Sequence, residues 1–592
     1  MIVKNEQENL SRCLESVKEI VDEMIIVDTG STDDTVRIAE SFGAKVYSYQ
    51  WKDDFSDARN QSLKHASCDW ILLMDGDDEL DKSSQREVLE LVEKNEAEAY
   101  FFKTVSYIGD KPGLDVLNNL NLRLMKNGKG YFFSNPIHEQ IYSNIMRITP
   151  NAKIVNLDIK VYHYGYLNKN IKGQDKRKRN IRILEKELEH SPGYGFSLFN
   201  LGNEYYASGS YLKALECYEQ SYAKFDAAQG FSSKLIIKMV NCLINCRKYE
   251  RALELVTRGL AYYPEFTELE YFRSTVYLNQ MKYTMALRHL EKCIEMGEPP
   301  LHLSMVEGVG SYRAYYIMGE IYYKLEDFEE AAECFSKSVS LCIGFDPAIT
   351  KLYLAKCKLK PGTAELEKYI EKLHKGLSIN ADNRLLDILI QEKYYELALK
   401  YVSRLERKNG KSDCLTYYRC VCKLMLKKYK ETLTAAGSIR KESEYGTRAA
   451  CLMMLIRVLE GNLQQAEKIL ESCGQDTGDR LVNVYRVFIS CLNGKGCEVL
   501  SEDEIESGNY SVIIFDLLRI LLAMHELVLF EKALSLLNTI EDKTVLLKLA
   551  KVYYNEQCYE SAYQEFIRSI KLFEAMDPDG AESLCRLKSR GF

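Results

Sequence analysis

The chain has 592 residues, 28% of them charged and 46% hydrophobic, with a formal net charge of −7. That length exceeds what one hydrophobic core organises, so several domains are expected. The composition is that of a globular protein without long disorder, and the acidic balance gives no reason to expect a nucleic-acid partner. No apolar run approaches the ~20 residues of a membrane span, and no secretory pattern is read at the N-terminus. The 18 cysteines are scattered without metal-ligand pairing. The expectation is a cytoplasmic protein with free, mostly buried thiols.

Only Met1, Ile2 and Val3 precede the polar Lys4-Asn5-Glu6. A strand typically needs about 5–6 residues. The first strand is therefore expected to be the end of a longer one that begins a few residues upstream, with Met1 internal to it. Residues 24–28 read as the next strand. In the following Thr29-Gly30-Ser31-Thr32-Asp33-Asp34-Thr35, Gly30 permits a tight turn, and Ser31 or Asp33 can cap a helix running to about residue 42. Gly43 ends that helix, 44–49 read as a strand, and 55–66 as a helix. The continuous apolar run Trp70-Ile71-Leu72-Leu73-Met74 reads as a strand buried on both faces. It ends in Asp75-Gly76-Asp77-Asp78-Glu79. Alternating strands and helices predict parallel β-α units. Asp28 and Asp75 are then expected on the same edge of one sheet, where open α/β sheets bind ligands. Carboxylates there suit Mg²⁺ or Mn²⁺ gripping a diphosphate. For an isolated Asp-x-Asp, a solvated acidic turn is the plain alternative.

Six segments in order carry a resemblance. They are Val3-Lys4-Asn5-Glu6, residues 26–35, Trp51-Lys52-Asp53-Asp54-Phe55-Ser56-Asp57-Ala58-Arg59-Asn60, residues 75–79, Pro136-Ile137-His138-Glu139 and Val161-Tyr162-His163-Tyr164-Gly165-Tyr166. Together they resemble family 2 glycosyltransferases of the GT-A fold. The Trp-x-x-Asp-Phe, His-Glu and His-x-Gly-Tyr pieces are also similar to the sublancin-type S-glycosyltransferases, in which helical repeats follow the catalytic domain. The resemblance implies that Asp28, Asn5 and Glu6 line the nucleotide pocket, that Asp75 meets the ribose side, and that Asp77 ligates the metal between the donor phosphates. A metal there stabilises the leaving diphosphate of an inverting displacement. Arg59 is a candidate phosphate contact, or a surface arginine on a helix. Glu139 is the expected proton acceptor, with His138 orienting it or acting in its place. His163 is a metal or phosphate ligand, or a buried imidazole bonded to backbone. Arg123 resembles a family position near the acceptor.

Seven of the residues from Lys169 to Arg182 are Lys or Arg. They read as a solvated helix face joining two domains, or as a positive rim near the donor diphosphate. After Pro192, the run Leu198, Leu201-Gly202, Tyr205, Gly209, Tyr211, Ala214, Tyr218 and Ser221 fits the 34-residue tetratricopeptide template. Ala252, Ala286 and Ala331 repeat the small-residue position of Ala214, and Ala398, Thr432, Ala466, Ala533 and Ala562 extend it. Gly308-Val309-Gly310-Ser311 reads as an inter-helix loop, since no strand precedes it and no Gly-Lys-Ser/Thr follows.

The expected architecture is an α/β GT-A domain (1–170), a basic helical linker (171–192), tetratricopeptide repeats (193–345) and degenerate helical repeats (346–592). The expected function is metal-dependent, inverting transfer of a sugar from a nucleotide sugar, UDP-linked by expectation, to a protein or peptide acceptor recruited by the repeats. Transfer to a glycan or lipid-linked saccharide is the alternative within enzymes. A non-catalytic repeat scaffold with a decayed transferase domain is the alternative of another class.

Overall fold

The computed structural model describes residues 1–113, 116–167, 173–190, 194–374, 380–473 and 479–592. It begins with β1 (Ile2–Val3), α1 (Leu10–Val17), β2 (Ile25–Asp28), α2 (Thr35–Ser41), β3 (Lys45–Ser48) and α3 (Phe55–His65). The three strands pair in parallel in the order β1-β2-β3. Gly30 turns the chain after β2 with φ 102°, in the left-handed region that favours glycine. Asp33 Oδ1 accepts from Thr35 N at 3.0 Å and closes the entry to α2.

The chain continues through β4 (Trp70–Leu72), β5 (Asp78–Leu80), α4 (Gln85–Lys94), β6 (Ala99–Tyr107), β7 (Val116–Lys126), α5 (Tyr142–Ile148) and β8 (Ile154–His163). These five strands form a second sheet in the order β4-β7-β6-β8-β5. This corrects the expectation of one parallel sheet. β4 is an edge strand, antiparallel to β7, so Asp28 and Asp75 end strands of two different hydrogen-bonded sheets. The cause is the long hairpin of β6 and β7, which supplies the partner that β4 takes. The apolar run is nevertheless covered on both sides. Trp70, Leu72 and Met74 pack with Tyr100, Phe102 and Val161, whereas Ile71 and Leu73 pack with Met125, Phe133 and Ile145. Successive strand residues face opposite ways, which distributes the run over two cores. In the hairpin, Leu122 opposes Phe101 and Leu124 opposes Tyr100, leaving Arg123 as the extra residue of a β-bulge. Bulges re-aim side chains.

α6 (Gly173–His190) follows; Lys169 and Lys172 of the basic run, and Pro192, lie outside the described residues. Ile183 and Leu184 of α6 pack with Phe55, Ile137 and Leu201. Arg182 pairs with Asp53 at 2.8 Å, and Arg179 lies 5.2 Å over the Phe55 ring. The Trp51–Phe55 motif thus meets α6 rather than open solvent.

Helices then pack in consecutive pairs: α7 (Gly195–Ala207) with α8 (Tyr211–Tyr222), α9 (Ser232–Asn245) with α10 (Tyr249–Tyr262), α11 (Thr267–Asn279) with α12 (Tyr283–Met296), and α13 (Tyr312–Lys324) with α14 (Phe328–Leu341). Ala214, Ala252, Ala286 and Ala331 are fully buried. A Cβ on Gly319 would lie 2.6 Å from the Phe335 ring, and Gly202 is closed in the same way by Tyr218. The small-plus-aromatic pattern is therefore close helix approach filled by a ring. The loop at Gly308–Ser311 closes on the chain's own Glu298, which accepts from Gly308 N (3.0 Å), Gly310 N (3.2 Å) and Ser311 Oγ (2.6 Å).

Packing divides the chain into two units, Met1–Ala355 and Lys356–Phe592. The sheets and the first four helix pairs belong to the first. α15 (Asp346–Lys358) crosses the boundary, and the second unit is helical from Thr363–His374 to Pro578–Ser589. Ala398, Thr432, Ala466, Ala533 and Ala562 are all fully buried there. One cysteine pair departs from the expectation of free thiols: Cys491 and Cys497 are joined as a disulfide, brought together by the turn after a helix.

Candidate active site

The predicted residues gather around the C-terminal ends of β2 and β4. Asp28 is buried, and its carboxylate accepts from Gly30 N at 3.1 Å and Ser31 N at 3.1–3.2 Å, which rigidifies the turn. Asn5 is tied to the same turn: its backbone N donates to Ser31 Oγ (2.9 Å), and its side chain accepts from Thr32 N (2.8 Å). Glu6 N donates to Thr35 Oγ1 at 2.8 Å. The Glu6 side chain crosses Gly76, where a Cβ would lie 3.0 Å from Glu6 Cγ. Asn5, Glu6 and Asp28 thus form one rim, and Glu6 joins it to the acidic segment 75–79.

An ionic chain runs through that segment. Arg59 donates through Nε to Glu139 Oε1 at 2.7 Å and through Nη2 to Asp75 Oδ1 at 2.8 Å. Arg123, buried at the bulge, contacts Asp75 Oδ2 at 3.2 Å and Asp78 Oδ2 at 2.9 Å, and donates to Leu73 O at 3.2 Å. Asp78 is wholly buried, accepts from Asp75 N at 2.9 Å, and meets His163 Nδ1 at 3.0 Å. His163 Nδ1 also lies 3.4 Å from Asp77 Oδ1.

Electrostatics follow from this crowding. Despite its desolvation, the Arg59 and Arg123 guanidiniums hold Asp75 well below the usual carboxylate range. Asp77 has no arginine. Burial, together with the neighbouring Asp78, Asp75 and Glu6 carboxylates, pushes it up to about 6, although His163 opposes the shift. Burial alone would lower His163; its hydrogen bond to Asp78 and the charge on Asp77 lift it to about 9. The cluster carries more negative charge than its two arginines offset.

Asp77, Asp78 and His163 present ligand atoms within 4.8 Å of one another, and this set fits a divalent cation. A Cβ on Gly165 would collide with Asp77 Oδ2 and His163 Nε2, so both atoms border the space that this glycine leaves open. Asp78 holds Nδ1, so Nε2, once a cation displaces its proton, would be the ligating nitrogen, with Asp78 behind the imidazole. Asp78 was not among the predicted site residues. Its signal was present in Asp78-Glu79-Leu80, where alternation along β5 turns Asp78 and Leu80 inward and leaves Glu79 partly exposed. The rest of the His163–Tyr166 motif braces the site: Tyr164 OH donates to Glu79 Oε2 at 2.7 Å, and the Tyr166 ring stands edge-on to His163 at 5.1 Å.

No hydrogen bond joins the His138 side chain to Glu139 among the described residues. His138 is exposed, sits at φ 52°, and makes no side-chain hydrogen bond among the described residues. Glu139 is held by Arg59 instead. Arg59 is mostly buried between two carboxylates, not on an open helix face.

Comparison with known proteins bears on this geometry. Glycosyl transferase family 2 matches residues 1–151, and Tetratricopeptide repeat matches residues 312–344. An uncharacterized glycosyltransferase of Rickettsia bellii is 31% identical over 214 residues, covering 32% of this chain and 71% of that protein. The chain belongs to glycosyltransferase family 2. The SPbeta prophage-derived glycosyltransferase SunS of Bacillus subtilis is 30% identical over 287 residues, covering 48% of this chain and 67% of SunS. A TPR repeat-containing protein of Synechococcus elongatus is 36% identical over 220 residues, 36% of this chain. This chain spans about half of that relative's length, 53%. The family 2 match covers both sheets up to the turn before β8, and the acidic segment 75–79 lies inside it.

Proposed function

We propose that this chain is a cytoplasmic, inverting glycosyltransferase that moves a sugar from a nucleotide sugar, UDP-linked in our reading, to a protein or peptide acceptor. The observation that carries the proposal is the pairing of Asp77 Oδ2 and His163 Nε2 over Gly165, backed by Asp78 and Arg123. Asp77 and His163, with Asp78 behind the imidazole, would hold Mn²⁺ or Mg²⁺, which when bound neutralises charge developing on a leaving diphosphate. The remaining steps belong to the chain's own groups. The rim of Asn5, Glu6 and Asp28 receives the nucleoside, and Asp75, fixed by two arginines, offers the ribose an oriented carboxylate.

Glu139 is the proton acceptor in this reading. Arg59 holds its carboxylate in a fixed orientation through the 2.7 Å hydrogen bond. A base held in this way suits an acceptor whose approach draws Glu139 away from Arg59. Glu139→Gln is expected to reduce transfer by ~10²–10⁴-fold while UDP affinity is kept; unchanged transfer would remove Glu139 from the chemistry. The tetratricopeptide match supports a protein-binding role for the repeats. No described helix is long and apolar enough to cross a membrane.

The experiment that tests the reading is incubation with a panel of nucleotide sugars and Mn²⁺, following release of nucleoside diphosphate. Release from one donor, abolished by EDTA, supports it; silence with every donor refutes it.

A further inference from the structure

Away from the aspartate cluster, the first unit carries two lysines on one helix. Lys234 and Lys238 lie one turn apart on α9, hence on one face of that helix. Both are half-buried, and neither forms an ion pair among the described residues. Lys234 Nζ donates to Asn119 Oδ1 of β7 at 2.7 Å, and Lys238 Nζ lies 4.7 Å over the Tyr206 ring of α7. Burial lowers both from the ordinary lysine value, Lys234 to about 8. Glu268 of α11 acts on Lys234 through space, but its Oε1 accepts from Met305 N and Val306 N, each at 2.6 Å. Burial also pushes Glu268 up to about 8, so it is a poor counter-charge near neutral pH.

Two like charges held a turn apart and partly stripped of water are unfavourable, and an arriving anion relieves both costs. β7 closes the junction from the other side. Asn118 N donates to Met305 O at 2.9 Å, which ties β7 to the chain after α12.

We propose that this junction of β7, α9 and α11 binds a carboxylate side chain of the acceptor peptide, with Lys234 and Lys238 as its cationic anchors. The inference rests on the reading of the chain as a peptide-modifying transferase. β7 links the two places, because Asn119 precedes Arg123 of the aspartate cluster by four residues, or ~13 Å at ~3.3 Å per residue. An extended acceptor reaching from the lysines to the cluster therefore carries its acidic residue roughly four or more positions from the one modified.

The test uses the full-length protein and two fluorescent peptides, hexaglutamate and hexalysine, titrated by anisotropy at low salt. The parent is compared with Lys234→Gln/Lys238→Gln, and with Lys224→Gln as an exposed control. Hexaglutamate is expected to bind the parent saturably, to bind the double variant at least about tenfold more weakly, and to bind the control as it binds the parent. Hexalysine, drawn to the acidic chain, is expected to bind the parent and the double variant alike. Equal binding by the double variant, or no binding of hexaglutamate by the parent, overturns the proposal. UDP affinity by calorimetry separates this site from the donor pocket: it is expected to be unchanged, and a parallel loss assigns the lysines to the donor and overturns the acceptor role. Should the double variant fail to fold, Lys238→Gln, which removes no hydrogen bond, carries the same comparison. Intact hexaglutamate binding with no donor turnover refutes the proposed function and not the lysine site.

Discussion

Asp77 and Asp78 are neighbours with opposite surroundings, and substitution should tell them apart. Asp77 has one weak partner and an elevated pKa, so Asp77→Asn should abolish metal-dependent turnover without lowering the melting temperature. Asp78 is saturated by Arg123, His163 and the Asp75 amide. Asp78→Asn should weaken metal affinity by ~10–100-fold, as removal of a group behind a ligand does, and should also lower the melting temperature, because a buried guanidinium loses its counter-charge. Equal thermal and metal effects for the two variants would contradict the assignment. The sequence made Asp77 visible through the Asp-x-Asp pattern. It did not reveal Asp78 as the hub, because burial of that carboxylate depends on β5 pairing with β8, 85 residues away. Arg123 was a minor candidate for a related reason: its place in the cluster comes from a bulge, and a bulge leaves no mark in local alternation.

A second prediction at this scale concerns pH. A glutamate titrates near 4.5 in the unfolded chain, whereas burial raises Glu268 to about 8. Protonated Glu268 is therefore favoured by the fold, and its contribution to stability is complete below about 4.5 and lost as pH rises towards about 8. Glu268→Gln keeps an acceptor for the Met305 and Val306 amides but cannot ionise. Its melting temperature relative to the parent should climb between about pH 5 and about pH 8 by calorimetry, with Lys234 offsetting part of the gain. A difference that stays flat, or falls, would show that Glu268 is not strained by ionisation in the fold.

Among the elements, the turn after β8 matters most. Gly165 has no demanding φ, so alanine there should be tolerated by the backbone. Its Cβ would nonetheless occupy the gap between Asp77 and His163. Gly165→Ala is expected to leave the far-ultraviolet circular dichroism unchanged and to reduce Mn²⁺ affinity at least about tenfold, by displacing either ligand. Normal Mn²⁺ binding by this variant would place the cation elsewhere. The helix α2, the strand β3 and the helix α3 were legible within a residue or two, since each has a strong local signal: a turn glycine, a capping aspartate, an alternating run. The partner of β4 was not, because an apolar run of five residues says that it is buried without saying by what. Only the hairpin of β6 and β7 decides that. In the repeats, alanine and glycine positions were legible because the same packing demand recurs down the chain.

At the scale of the whole molecule, the sheets and the first four helix pairs lie in one unit and the remaining helices in another. The boundary falls within α15, so a truncation should follow Lys358 rather than cut the helix at its start. The shortened protein is expected to keep donor turnover, because every residue of the ionic chain lies in the first unit. Loss of donor turnover in a folded truncation would mean that the second unit completes the donor pocket. The most direct test of the central claim is nucleoside diphosphate release by the full-length protein from a panel of nucleotide sugars, with Mn²⁺ and with EDTA, in parallel with Asp77→Asn. The account predicts release from one donor by the parent with Mn²⁺, and none with EDTA or from the variant. Release that survives both EDTA and Asp77→Asn would contradict it.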